Sequence, residues 1–173
     1  MSRMRIPPIV PGTRPELATL EAGIVAERGR VSPLYQVLLN SPAIAQGWEQ
    51  LLTAVRNRSS LQPDLREMVI LRIAVLNRAP YEFDAHVPHA LGAGVSPEKI
   101  EALRAQLLDA SFSGLERSVL LLTDTMTRDI DVPESLFESV KAHFTDQAMI
   151  DLTVTIAAYN MVSRFLVALQ IGH

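Results

Sequence analysis

Proline and glycine divide this sequence into helix-length pieces, and this division constrains the fold more than any other feature. No stretch between them shows the sustained alternation of apolar and polar residues, enriched in β-branched side chains, that predicts a sheet. Apolar residues recur instead at the spacing of amphipathic helices, so the sequence predicts an all-α fold. Helices are predicted over residues 15–28, 33–39, 43–56, 63–77, 81–93, 114–128 and 133–144, with a further helix from Pro97 and a long last helix capped by Thr145-Asp146.

The length of 173 residues is that of one ordinary domain with a sizeable core. We therefore predict one compact helical domain over residues 31–173, preceded by an extended arm and a first helix in residues 1–30. The arm contains several prolines and no apolar run of signal-peptide length. A cytoplasmic location is the corresponding expectation.

Composition excludes several classes of function. The net charge is −3, with 16 Lys and Arg against 19 Asp and Glu, so the chain offers no basic stripe for nucleic acid. The most apolar stretch, residues 149–171, contains Asp151, Asn160 and Arg164, which are costly at membrane depth. We expect a buried helix there, with neither a membrane nor a nucleic acid as partner.

Cysteine is absent from the chain. Disulfides, thiolate nucleophiles and cysteine metal ligands are therefore all excluded.

Ionisable residues capable of proton transfer are concentrated in residues 79–89. Glu82 and His86 are four positions apart on one predicted helix and lie on the same face. A carboxylate beside an imidazole fixes its tautomer and raises its basicity. Glu67 could add a second carboxylate if the helices over 63–77 and 81–93 pack antiparallel. The alternative is a surface ion pair that contributes only a few tenths of a kcal/mol.

A metal site is a further alternative for the same residues. Glu67, Glu82, His86 and His89 are all suitable ligands for zinc or iron. However, Pro88 should kink the helix between the two histidines and turn His89 aside. We therefore predict a site without a metal or other cofactor.

The same residues resemble the carboxymuconolactone decarboxylase-like superfamily, which includes the alkylhydroperoxidase D-like proteins. Its redox members have a glutamate a dozen positions before a Cys-x-x-Cys pair and a histidine four positions after it. In this chain the glutamate matches Glu67, the cysteines match Ala79 and Glu82, and the histidine matches His86. The likeness extends over residues 30–173 and includes Leu65-Arg66-Glu67, Tyr81-Glu82-Phe83, His86-Val87-Pro88 and Tyr159-Asn160-Met161.

The resemblance implies a helical bundle of the alkylhydroperoxidase D-like type, in a branch without the redox cysteines. Peroxide reduction through that cysteine pair is excluded because Ala79 and Glu82 stand in the two cysteine positions. The remaining groups are suited to proton transfer on a small organic acid or lactone. We expect a lyase, or a related isomerase or hydrolase, in which Glu82 orients His86 for proton transfer and Glu67 modulates the pair.

Polar residues within apolar helices are candidates for substrate binding. Arg72 or Arg164 could clamp a substrate carboxylate, although structural ion pairing is the stronger expectation for such arginines. Tyr81 could donate its hydroxyl to an oxyanion. Asn160 and His89 complete the predicted substrate-binding residues.

The long last helix has a wider apolar face than one small domain can cover. Together with the resemblance, this predicts a homo-oligomer, either a trimer or a hexamer. A catalytically silent ligand-binding or scaffold protein of the same fold remains the alternative, and the environment of His86 distinguishes the two.

Overall fold

The computed structural model describes residues 4–108 and 110–172, and the all-α prediction is confirmed. Within those ranges the chain forms nine α-helices and no β-strand. A short 3-10 helix, Pro15–Leu17, precedes the first of them. The helices are α1 (Ala18–Arg28), α2 (Pro33–Leu38), α3 (Pro42–Thr53), α4 (Pro63–Leu76), α5 (Pro80–Gly92), α6 (Pro97–Ala102), α7 (Gly114–Arg128), α8 (Glu134–Lys141) and α9 (Asp146–Leu169).

Local sequence signals set most of the helix ends. Proline occupies the first turn of α2 to α6, where its missing N–H costs no hydrogen bond. Ser113 forms a capping box with Glu116 at the start of α7. Gly29 ends α1 in a left-handed conformation with φ of 78°, which a glycine adopts without a Cβ clash.

The structure departs from the prediction at two helices. α3 ends at Thr53 and continues as a π-helix over Ala54–Arg58, where a uniform helix over residues 43–56 was expected. α5 continues through Pro88 to Gly92. Packing against neighbouring helices can hold such a proline in place, although the helix loses one backbone hydrogen bond there.

The chain divides into two compact units, one of which contains Met1–Arg58 and Leu166–His173. In this unit α1 and α2 pack against α3. The N-terminal arm is tied to the end of α9, because the Arg5 backbone N–H donates to the Leu169 carbonyl (3.0 Å) and its guanidinium donates to the Ala168 carbonyl (2.9 Å). The prediction of one domain over residues 31–173 stays a prediction.

The second unit, Ser59–Phe165, is built around α4. This helix is apolar on all sides, and Met68, Ile70 and Leu71 are buried almost completely. A helix that is apolar all round is buried all round. α4 packs against α5 and against α7, and two of its charged side chains, Glu67 and Arg72, lie in the interior of the unit.

α9 is, among the described residues, the one helix long and apolar enough to cross a membrane by length and composition. Half of its most apolar window is buried inside the protein. Core helices of soluble proteins have the same properties. A cytoplasmic location stays a prediction.

Candidate acid–base site

Glu67 and His86 form a buried pair between α4 and α5. His86 Nδ1 lies 2.7 Å from Glu67 Oε2, and the two side chains are 10% and 2% exposed. Contact between these residues requires α4 and α5 to run in opposite directions around the Ala79-Pro80 turn, as predicted. Because an ionised carboxylate only accepts hydrogen bonds, this contact places the ring proton on Nδ1 when Glu67 is ionised.

The Glu67 carboxylate has a second charged neighbour. Arg66 Nε lies 3.4 Å from Glu67 Oε1, and the Arg66 side chain is 15% exposed. The carboxylate therefore lies between a permanent cation and the imidazole. Such an arrangement fixes the orientation of the His86 ring.

Glu82 lies on the same helix as His86 but has a different partner. Its Oε2 is hydrogen-bonded to the Ser163 hydroxyl of α9. Glu82 is 2% exposed, and burial raises its pKa to about 8, while the Ser163 hydrogen bond lowers it by a smaller amount. Burial therefore favours the neutral form of the Glu82 carboxyl group.

These contacts correct the predicted roles of the two glutamates. The sequence predicted that Glu82 orients His86 and that Glu67 modulates the pair. In the structure the Nδ1 contact belongs to Glu67. Residues four apart on a helix share a face, but the short hydrogen bond of His86 is made across the helix interface.

Two aromatic rings flank the His86 ring. Tyr159 of α9 meets it edge-on at 5.1 Å between ring centroids, and His89 lies 5.6 Å away. α5 continues through Pro88, so this proline does not end the helix before His89. His89 itself is exposed, so it lies at the surface beside the buried pair.

Asn160 connects three helices through its side chain. Its Oδ1 accepts hydrogen bonds from Asn77 Nδ2 (2.9 Å) and Arg164 Nη1 (2.7 Å), and its Nδ2 donates to the Thr127 hydroxyl (3.0 Å). Asn160 is buried, whereas Arg164 is exposed. Of the two, Arg164 is better placed to meet a substrate from solvent.

Arg72 has a structural role, which corrects its assignment as a substrate clamp. It is completely buried and bidentate to Asp124, with two N–O distances of 2.6 Å. Its Nη1 also donates to the carbonyls of Leu103 and Ala105. Four hydrogen bonds within the protein leave no accessible edge of the guanidinium for a substrate. This is the structural ion pairing that the sequence favoured for buried arginines.

The remaining predicted residue, Tyr81, lies half-buried near the start of α5. Across residues 4–108 and 110–172, no group of three or more His, Cys, Asp or Glu side chains is arranged to hold a metal ion. The site thus contains a buried pair, a separately bonded carboxylic acid and a polar network on α9.

Sequence reasoning did not single out Ser163, Tyr159 or Arg66. Ser163 and Tyr159 lie one helical turn apart on α9, in the segment that resembles the family, but nothing in that segment gave either residue a role. Arg66 directly precedes Glu67, so its signal was adjacency to a predicted carboxylate. The contacts of these three residues depend on how the helices pack, which a single sequence does not show.

Known proteins with similar sequences or folds agree with this architecture. The carboxymuconolactone decarboxylase family model matches residues 42–125. The uncharacterized protein YdfG of Bacillus subtilis is 25% identical over 114 residues, which is 65% of this chain and 78% of that protein.

Two solved structures share the fold. One is the alkylhydroperoxidase AhpD core of an uncharacterized peroxidase-related protein from Ralstonia eutropha, with a TM-score of 0.83, 18% identity and coverage of 99% of this chain and 92% of that one. The other is the debrominase Bmp8 in complex with 2,3,4-tribromopyrrole, with a TM-score of 0.80, 15% identity and coverage of 99% and 91%. At these identities the likeness shows the fold alone.

The fold is that of the alkylhydroperoxidase D-like helical proteins. Over residues 42–125 the chain is similar to the carboxymuconolactone decarboxylase family, and, having no cysteine, it lacks the Cys-x-x-Cys pair of the redox members.

Proposed function

We propose that this protein is a cofactor-independent lyase, or a related isomerase or hydrolase, that acts on a small organic acid or lactone by acid–base catalysis. The observation that carries the proposal is the 2.7 Å contact between Glu67 and His86 within the apolar interior. A buried carboxylate that fixes an imidazole tautomer is the usual arrangement of a proton shuttle. The family name supplies the first substrate class to examine, a lactone that carries a carboxylate.

In this mechanism His86 exchanges a proton with the substrate through its imidazole ring. Glu67 holds the ring and stabilises the imidazolium that forms. Arg164, which is exposed and hydrogen-bonded to Asn160, is the arginine that remains as a candidate to bind the substrate carboxylate. Decarboxylation leaves an electron pair on carbon, and hydrogen-bond donors near that carbon must stabilise it.

The test uses purified protein and a panel of small unsaturated acids and lactones, with carboxymuconolactone as the first member. Wild-type protein should release CO2 from, or isomerise or hydrolyse, at least one compound, and His86→Gln should abolish most of that activity. Binding without turnover across the panel would contradict the proposal.

The second candidate is a ligand-binding protein without catalysis, and one observation favours it. A cavity of about 730 Å³ lies in the first unit between α1 and α3, lined in part by Leu20, Gly23, Ile24 and Thr53. Cavities of this volume suit drug-sized ligands. None of the predicted site residues lines it.

A filled-cavity variant distinguishes the two candidates. An added Cβ at Gly23 meets no atom within 4 Å, so Gly23→Leu should fill the cavity while the helix is retained. A binding protein should lose ligand affinity in Gly23→Leu and keep it in His86→Gln. A lyase should lose turnover in His86→Gln and keep it in Gly23→Leu.

A further inference from the structure

Glu82 has one oxygen without a hydrogen-bond partner. Oε2 is bonded to the Ser163 hydroxyl, but Oε1 is buried with no partner in the described part of the chain. An ionised carboxylate in this position would leave half of its charge unsolvated, at a cost of several kcal/mol. A neutral carboxylic acid would leave only a carbonyl oxygen unpaired, which costs far less.

The Ser163 hydroxyl gives independent information on where the proton lies. Its Oγ is within hydrogen-bond distance of both Glu82 Oε2 and the Tyr159 backbone carbonyl, 2.8 Å away. A serine hydroxyl has one proton and can donate only one full hydrogen bond. Both contacts are satisfied if the Ser163 proton goes to the Tyr159 carbonyl and Glu82 donates its own proton to Ser163 Oγ.

The charged groups on the surrounding helices do not oppose this arrangement. On α4, Arg66 is directed to Glu67 and Arg72 to Asp124; on α9, Arg164 is directed to Asn160. On α5 itself His86 is bonded to Glu67, and after α6 Arg104 lies over the Phe83 ring. Among the described residues, no ion pair includes Glu82, so no cation offsets the burial of a negative charge there.

We propose that Glu82 is a neutral carboxylic acid that supplies the proton of the reaction, and that Ser163 is the positioning residue that stabilises it before and after proton release. This inference rests on the proposed function for its catalytic part. Before release the Ser163 hydroxyl accepts from the acid. After release it rotates and donates to the new carboxylate, which agrees with the lowering of the Glu82 pKa by this hydrogen bond.

Decarboxylation requires such a stored proton. The bond between carbon and the carboxylate breaks, CO2 leaves, and the electron pair stays on the carbon. That carbon then takes one proton, so each turnover consumes one proton from the site and one from solvent restores it. The Glu67–His86 pair is therefore suited to exchange protons with the substrate, and Glu82 is suited to donate one.

The test is infrared spectroscopy of protein labelled with ¹³C at the glutamate side-chain carboxyl groups, titrated from about pH 5 to about pH 10. Wild type should show a carbonyl band of a neutral carboxylic acid at neutral pH that disappears near pH 8, and Glu82→Gln should lack it. Ser163→Ala should move the titration to higher pH and displace the band. Ser163→Thr, which keeps the hydroxyl, should restore both. Circular dichroism verifies that each variant is folded.

The outcomes separate the inference from the proposed function. Identical spectra of wild type and Glu82→Gln at neutral pH would overturn the inference, even if turnover is found. An unchanged titration in Ser163→Ala would overturn the role of Ser163. The band present in wild type with no turnover on any compound would leave the protonation of Glu82 established and overturn only its use in catalysis.

Discussion

His86 is the residue whose replacement should affect activity most. His86→Gln removes the proton-exchanging nitrogen and keeps a side chain of similar size, so the fold should persist. If the proposed function holds, turnover should fall by about 10²- to 10⁴-fold, the usual contribution of a positioned proton shuttle. Steady-state kinetics on the substrate found in the panel measures the loss.

His89→Gln is the matched control for that variant. His89 lies 5.6 Å from the His86 ring but is exposed at the surface. Its replacement should change turnover by less than about tenfold. Equal losses in both variants, with activity that depends on added metal or chelator, would indicate a metal site instead.

Glu82 should make the stability of the protein depend on pH in an unusual direction. Its pKa is about 8 in the folded protein and 4.5 as the reference value. Between these values the folded state holds one more proton than the unfolded chain, so the free energy of unfolding decreases as pH rises and levels off above about 8. The difference corresponds to about 5 kcal/mol as an upper value.

Urea unfolding at about pH 6 and about pH 9 measures this effect, and Glu82→Gln isolates it from other titrating groups. The glutamine variant should lose much less stability between the two pH values than wild type. If both proteins lose the same amount of stability between the two pH values, ionisation of Glu82 costs little free energy. This result would contradict the raised pKa that its burial implies.

Sequence reasoning identified the groups of the site but not their pairing. The i,i+4 relation indicated Glu82 and His86, and the family resemblance matched Glu67 and His86 to its glutamate and histidine. The hydrogen bonds themselves cross between helices, to Glu67 on α4 and to Ser163 on α9. Interhelical distances depend on packing, which periodicity in one sequence does not specify.

The stability of α4 in its packed position depends on a buried ion pair. Arg72 lies in its apolar interior and is balanced by Asp124 of α7. Asp124→Ala would leave this guanidinium buried without its counterion, and we expect a loss of about 3–5 kcal/mol in the free energy of unfolding. Chemical denaturation measures the loss, with Asp124→Asn as a milder variant if alanine prevents folding.

Glu101→Ala is the control, because Glu101 forms a surface ion pair with Arg104 in which the side chains are 77% and 48% exposed. That variant should lose less than about 1 kcal/mol. Comparable losses in the two variants would mean that Arg72 is not committed to a structural role and would return it to the substrate-binding candidates.

Helix ends could be predicted from the sequence where a nearby side chain forms hydrogen bonds with the unpaired backbone groups at that end. α7 covers Gly114–Arg128, the predicted range, because Ser113 and Glu116 cap its first turn. The π-helix after α3 and the passage of α5 through Pro88 have no such local signal. Both are conformations that tertiary contacts stabilise against the local preference of the chain.

α9 has an exposed apolar face, and this face is relevant to whether the protein forms oligomers. Ile150, Val154 and Met161 are 64%, 36% and 37% exposed and lie on one side of the helix together with Ala157. The homo-oligomer predicted from the sequence would bury this face. Light scattering should give the mass of a trimer or hexamer, and Val154→Glu should shift it toward the monomer.

Gln147→Glu is the control for that variant, because it adds the same charge to α9 at an exposed polar position. It should leave the oligomer intact. A wild-type monomer at micromolar concentration would contradict the prediction, and dissociation by both variants would show that the added charge alone is responsible.

The hydrogen bonds from Arg5 to Ala168 and Leu169 bring the N-terminal arm beside the end of α9. A short flexible linker could therefore join them, and new ends could be opened in an exposed loop elsewhere, as in other circularly permuted proteins. The Asp129–Pro133 connection between α7 and α8, which is largely exposed, is a suitable place for the opening. The order in which the helices are synthesised could then be changed while their spatial arrangement is kept.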